Sequence, residues 1–182
     1  MKLNLKIIGL LTPALIVAGY LSIPITMSAT TSDSPEITKL LANAKAEAVE
    51  LKADSAGMQS FATSKASWQT YATQVELIRQ HVNATGKLLT KLENAEASGS
   101  EWQQTAIKRI RPLLKELAEN TETTIKHLKN NQSKVHFSEF QDYVKANFEL
   151  AADLEALIHD FINYGEAQEK VDHLGHKLEV KG

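Results

Sequence analysis

The sequence predicts an all-α fold, an antiparallel up-down-up-down four-helix bundle. Glycine and proline are scarce, with 8 and 4 among 182 residues, whereas Ala, Leu, Glu, Lys and Gln, which favour helices, are abundant. Apolar residues recur at alternating spacings of three and four in four successive segments, the pattern of helices that share a core. The connections between these segments are short and polar, so successive helices are expected to run antiparallel.

Before the first of these segments, residues 1–29 have the layout of a secretory signal. Lys2 and Lys6 precede an almost wholly apolar run at 7–25, and small residues lead up to Ala29. A basic end, an apolar middle and a small-residue cleavage site are typical of such signals. The alternative is an uncleaved N-terminal membrane anchor, because a run of this length can just span a bilayer.

Both interpretations place the rest of the chain on the same side of the membrane. Basic residues flank only the N-terminal end of the apolar run, so the chain beyond it is expected to cross. The small residues before position 30, and Pro13 within the run, favour cleavage. The predicted location is therefore extracytoplasmic, periplasmic or secreted, or attached to the inner membrane by the uncleaved helix.

Residues 30–34 are a polar linker, and residues 35–182 form one domain. The predicted helices span about 35–62, 67–97, 101–130 and 139–179. At 1.5 Å per residue the first three are about 45 Å long, and an unbroken fourth helix extends past them by about 15 Å. Gly165 and Gly175 are the places where this over-long helix is expected to bend or fray instead.

Capping signals mark three helix starts. Ser34 precedes a proline, a favoured pairing of N-cap and first helical residue. Ser100 and Ser138 are each followed three residues later by glutamine, the spacing of a capping box.

Trp68 and Trp102 begin helices two and three, at opposite ends of an antiparallel bundle, and are expected to plug the core there.

Composition and motif content argue against several kinds of chemistry for this chain. Cysteine is absent, which excludes disulfides, iron–sulfur clusters, thiolate zinc sites, covalently attached haem and a lipid-modified cysteine. No Glu-x-x-His pair, nucleophile elbow or glycine-rich phosphate loop occurs. Without the leader lysines, 18 basic residues face 22 acidic ones, a net charge of −4, so nucleic-acid binding is not expected. The sequence therefore predicts neither an enzyme nor a cofactor.

A candidate metal site lies near the C-terminus. His173 and His176 are three residues apart on the predicted fourth helix, so they share a face, and Glu169 and Asp172 each precede one of them by four residues. Imidazole and carboxylate at such spacing can share a divalent ion. The competing interpretation is an ordinary solvated polar face.

The same segment carries a candidate interaction seam. Val171, Leu174 and Leu178 continue the apolar spacing beyond the point where the other helices are expected to end. These side chains would have no partner within the bundle, so the sequence predicts a seam that binds something else.

A short basic patch follows the start of the third helix, formed by Lys108, Arg109, Arg111 and Lys115. Several glutamates come next in the same helix. A face of solvated ion pairs is favoured over an anion-binding site.

Three stretches resemble a group of small exported helical proteins from acidobacteria: SWQTYATQVELIRQHVNATGKLL, EWQQTAIKRIRPLLKELAENTETTIKHL and DFINYG. The likeness spans most of the body, from about Ala44 to Glu179. It implies export and a helical architecture, and it carries over no catalytic or binding residue.

These observations favour a non-enzymatic exported helical bundle that binds an unknown protein partner or associates with itself. One alternative is a metal-binding or metal-buffering protein that uses the C-terminal histidines and a divalent ion. Another is an amphipathic bundle that associates with lipid, although the acidic surface disfavours strong binding. Otherwise membrane contact is expected only through residues 7–25, if the leader is kept.

Overall fold

The computed structural model describes residues 32–179, and the predicted leader at 1–29 lies outside this part of the chain. It contains four α-helices: α1 (Pro35–Ser64), α2 (Trp68–Ala95), α3 (Glu101–Asn130) and α4 (Ser138–Leu178). The all-α prediction is confirmed, with every helix bound within two residues of the predicted one. In residues 32–179 no helix combines the length and hydrophobicity needed to cross a bilayer.

The helices form a four-membered ring. Helix α1 packs against α2 and α4, and α3 also packs against α2 and α4, as expected for up-down-up-down connections. The core is built from the predicted apolar stripes, with fully buried side chains on each helix such as Leu41, Ile78, Leu117 and Leu154. Since neighbours are antiparallel, the starts of α1 and α3 lie at one end of the bundle, and the starts of α2 and α4 lie at the other.

Aromatic side chains close the end at which α2 and α4 begin, here called the Tyr71 end. The Tyr71 ring is fully buried and meets the rings of Phe61 and Phe140 edge-on, at centroid distances of 5.6 and 5.0 Å. Edge-to-face contacts are a favoured arrangement of aromatic rings. They join α1, α2 and α4 at this end.

The capping box predicted for α4 is wrong. The N-cap is Phe137, without a side-chain cap, and Ser138 is already helical. The Gln141 side chain donates instead to the Val135 carbonyl and to the Tyr71 hydroxyl. Gln141 thus ties the turn before α4 to the start of α2, a contact between helices that sequence spacing does not reveal.

A buried polar cluster joins α3 and α4 inside the bundle. Asn147 is fully buried; its Nδ2 donates to Thr124 Oγ1 at 2.8 Å, and its Oδ1 lies 2.8 Å from the Thr121 hydroxyl. A buried amide without these partners would be costly, so the cluster favours one alignment of the two helices over slipped ones.

Helix α4 outruns the bundle, as predicted. Gly165 is buried at the end where α3 begins, here called the Trp102 end, and α4 continues unbroken from there to Leu178. This α4 extension, residues 166–178, is about 20 Å long at 1.5 Å per residue. It is exposed at every position except the partly exposed Gly175. The fraying expected as an alternative at the two glycines does not occur, because both lie within continuous helix.

We expect Gly165→Ala to destabilise the bundle and Gly86→Ala to stabilise it. A Cβ at position 165 would lie 2.4 Å from Cζ2 of Trp102, whereas one at position 86 meets nothing within 4 Å. Overpacking costs about 1–3 kcal/mol, while relieving a mid-helix glycine gains about 0.5–1 kcal/mol. Urea denaturation followed by circular dichroism measures both, and equal effects of the two substitutions would contradict the contact.

Candidate association site at the Trp102 end

Gln103 organises the end of the bundle from which the α4 extension leaves. Its Oε1 accepts from the backbone N–H groups of Ser34 and Ser100 at 2.8 and 3.1 Å. Its Nε2 donates to the Ser34 carbonyl and to Thr38 Oγ1 at 3.1 and 3.0 Å. The contact with Ser100 belongs to the predicted capping box, but the other three bonds fasten α1 to the start of α3.

Trp102 plugs the core beside Gln103, as predicted, with 8% of its surface exposed. Its indole N–H donates to Asp33 Oδ1 at 2.7 Å, and its ring lies against the backbone of Gly165. The Tyr164 ring meets it edge-on at 6.4 Å. The indole of Trp102, at the start of α3, therefore contacts both the residues just before α1 and the base of the α4 extension.

The predicted interaction seam is exposed along one face of the α4 extension. Val171, Leu174 and Leu178 are 67%, 44% and 65% exposed. Tyr164, 51% exposed, and the exposed Ala167 continue the same face toward the bundle. The sequence reasoning missed these two, although their spacings to Val171 repeat the alternation of three and four. All five residues together are called the α4 seam below.

The candidate metal ligands lie on the opposite face. At 100° per residue, Glu169, Asp172, His173 and His176 centre about 170° around the helix from the α4 seam. All four are exposed, and among residues 32–179 no group of three or more His, Asp or Glu side chains is placed to hold a metal ion. The metal hypothesis gains no geometric support and stays a prediction. Because the candidate metal ligands and the α4 seam lie on opposite faces of the helix, each face can be substituted without altering the other.

A histidine in the body of the bundle, His81, connects α2 to α1. Its Nδ1 lies 2.8 Å from Glu47 Oε2, and its Nε2 lies 3.5 Å from Asp54 Oδ2. Both carboxylates belong to α1, two turns apart, so the imidazole of α2 spans them. Gln74 also donates to the carboxylate and carbonyl of Asp54, which makes this a polar clasp between α1 and α2.

The basic patch is a face of paired side chains, which confirms the favoured interpretation. The pairs are Lys108 with Glu96, Arg111 with Glu93 and Glu96, Lys115 with Glu119, and Arg109 above the ring of Phe161. A hydrogen bond from Arg111 to the Glu93 carboxylate raises the pKa of the guanidinium. The patch fastens α3 to the end of α2 and to α4.

A second surface feature, unforeseen from sequence, is a groove between α2 and α3 toward the Tyr71 end. It has a volume of about 600 Å³, and its lining includes the apolar residues Trp68, Val75 and Ile125 and the basic residues Arg79 and Lys129. The groove depends on the distance between two helices. The apolar periodicity of a single helix does not predict that distance.

Comparison with known proteins finds no relative, since no family model, curated protein or solved structure matches this chain. Within residues 32–179, the seam residues beyond Gly165 (Ala167, Val171, Leu174 and Leu178) are exposed apolar side chains outside the core, whereas Tyr164 also contacts Trp102.

We expect Gln103→Leu to cost about 2–4 kcal/mol of folding stability, because it leaves the backbone N–H groups of Ser34 and Ser100 without their acceptor. Gln104→Leu is the matched control: Gln104 makes one hydrogen bond, to the Gly99 carbonyl, and its loss costs about 1 kcal/mol. Chemical denaturation measures the stabilities, and amide exchange in the first turn of α1 should quicken only in Gln103→Leu. Equal losses in the two variants would contradict the organising role of Gln103.

Proposed function

We propose that this chain is an exported, non-enzymatic helical bundle that works by associating with a protein through the α4 seam. The observation that carries the proposal is the exposed apolar face on a helix that continues beyond its three neighbours. The partner is either a different protein or a second copy of the chain.

The energetics of exposed apolar side chains support this role. Burying a Val or Leu side chain fully gains about 1.5–3 kcal/mol of free energy. Val171, Leu174 and Leu178 lie on one face, so a partner that covers all three gains a substantial part of this for each. Contiguous exposed apolar surface is a usual mark of an interaction site. Scattered leucines elsewhere on the surface carry no such meaning, whereas the α4 seam is continuous over four helical turns.

The length of the α4 extension supports the same conclusion. The α4 extension continues a folded helix and needs no new nucleation, but most helical stability in proteins comes from tertiary packing rather than from helix propensity. Within residues 32–179 the extension packs laterally on nothing beyond Gly165. A partner that packs along the α4 seam would stabilise this exposed helix. The same contacts would also determine which partner is bound.

Export is the second part of the proposal, and it rests on the layout of residues 1–29. We expect the mature protein to begin at Thr30, after the small residues that end at Ala29. N-terminal sequencing of protein recovered from outside the cytoplasm measures this. A start at Met1 would favour the membrane anchor, and recovery from the cytoplasm alone would contradict export.

Association is tested in the cells that make the protein. Replacing Val171, Leu174 and Leu178 together by glutamine keeps helix propensity while removing the apolar face. In native gel electrophoresis of gently extracted protein, we expect the unaltered chain to migrate in a complex and the triple variant to migrate as a monomer.

The matched control changes the opposite face of the same helix, with Glu169, Asp172 and His173 replaced by glutamine. This control should remain in a complex of the same size as that of the unaltered chain, after allowance for the two negative charges that it lacks. A monomer in all three samples, or loss of the complex in both variants, would contradict association through the α4 seam.

A further inference from the structure

We propose that the occupant of the α4 seam is a second copy of this chain, paired parallel and in register with the first. This inference rests on the proposed function and names its partner. The dimer would be a short two-stranded coiled coil formed by residues 164–178 of both copies.

The spacing of the seam is the first support. Tyr164, Ala167, Val171, Leu174 and Leu178 follow each other at three, four, three and four residues, the alternation of a two-stranded coiled coil. In an in-register pair each seam residue meets its own counterpart, so apolar surface meets apolar surface throughout. The α4 seam is therefore complementary to itself.

Charge along the flanks selects the parallel direction. One flank of the seam carries Lys170 and Lys177, and the other carries the uncharged Gln168 and Gly175. In a parallel pair, each flank faces the opposite flank of its partner, so the lysines face uncharged residues. In an antiparallel pair like flanks meet, which brings lysines against lysines and costs energy.

Charge also sets where the pairing stops. Continued toward the start of α4, the seam positions hold the exposed Asp160 and Asp153, with the half-buried Leu157 between them. An in-register pair would oppose each aspartate with its own copy, which is unfavourable. Pairing therefore begins at Tyr164, where α4 leaves the bundle, and the two bundles diverge from there.

The position of the chain start agrees with the parallel direction. Ser34 lies at the Trp102 end, bonded to Gln103, and the α4 extension leaves from that same end. A parallel dimer places both copies of Ser34 on the same side. Two chains exported across, or anchored in, one membrane would meet in this arrangement.

The absence of native cysteine makes a single-cysteine test clean. In a parallel in-register dimer, position 178 of one copy faces position 178 of the other, whereas an antiparallel pair centred on Val171 opposes positions 178 and 164. Purified full-length Leu178→Cys under mild oxidation is expected to form a disulfide-linked dimer. Glu169→Cys, on the opposite face, is the control and is expected to stay monomeric.

Sedimentation velocity of the purified chain gives the second readout. We expect a monomer–dimer equilibrium that shifts with concentration, and we expect Leu174→Gln to weaken it by about tenfold or more. His173→Gln should leave it unchanged. Leu174 is solvent-exposed, so circular dichroism of the variant should match that of the unaltered chain.

The outcomes separate this inference from the proposed function. A purified chain that is monomeric at every concentration would overturn the second copy as occupant. If the cellular complex still depended on the α4 seam, association would stand with a different protein as partner. A disulfide that forms in a mixture of Tyr164→Cys and Leu178→Cys, but not in Leu178→Cys alone, would overturn the parallel direction.

Discussion

The contact between the Trp102 ring and the backbone of Gly165 is the constraint on which the shape of this protein depends. A side chain at position 165 would collide with the indole, so α4 can cross the end of the core only where it has no Cβ. The indole also holds Asp33, and the neighbouring Gln103 holds the first residue before α1. One end of the bundle is thereby closed while α4 remains free to continue.

The consequence is a helix with two environments. Up to Gly165, α4 contributes Phe140, Ala151 and Leu154 to a closed core. Beyond Gly165 the same apolar periodicity continues, shifted to another face, with no neighbouring helix to cover it within residues 32–179. The switch from a stripe that faces the core to one that faces outward, within one unbroken helix, is the observation on which the proposed association rests.

The sequence predicted those features that depend on one helix at a time. The four helices, the excess length of α4, the plug at Trp102 and the exposed face at Val171, Leu174 and Leu178 all follow from spacing and helix geometry. Features that depend on two helices were not predictable in this way. The three bonds from Gln103 to Ser34 and Thr38, the contacts of Gln141 and the groove between α2 and α3 require the relative height and rotation of neighbouring helices.

Gly165 shows most clearly what the sequence alone does not predict. In sequence, Gly165 signals weakness in a helix, because glycine lowers helix propensity. In the fold it is required by a close approach that only the position of Trp102 explains. The buried Asn147 is similar, since its polar side chain is satisfied by Thr121 and Thr124 of another helix and favours one alignment of α3 against α4.

The central claim is that the α4 seam touches another protein molecule, and site-specific photo-cross-linking in intact cells tests it most directly. A photoreactive amino acid placed at Val171 should give a covalent adduct of higher mass, because this position would lie inside the interface. The same group at Glu169, on the opposite face of the helix, should give none. No adduct from position 171, or equal adducts from both positions, would contradict the claim.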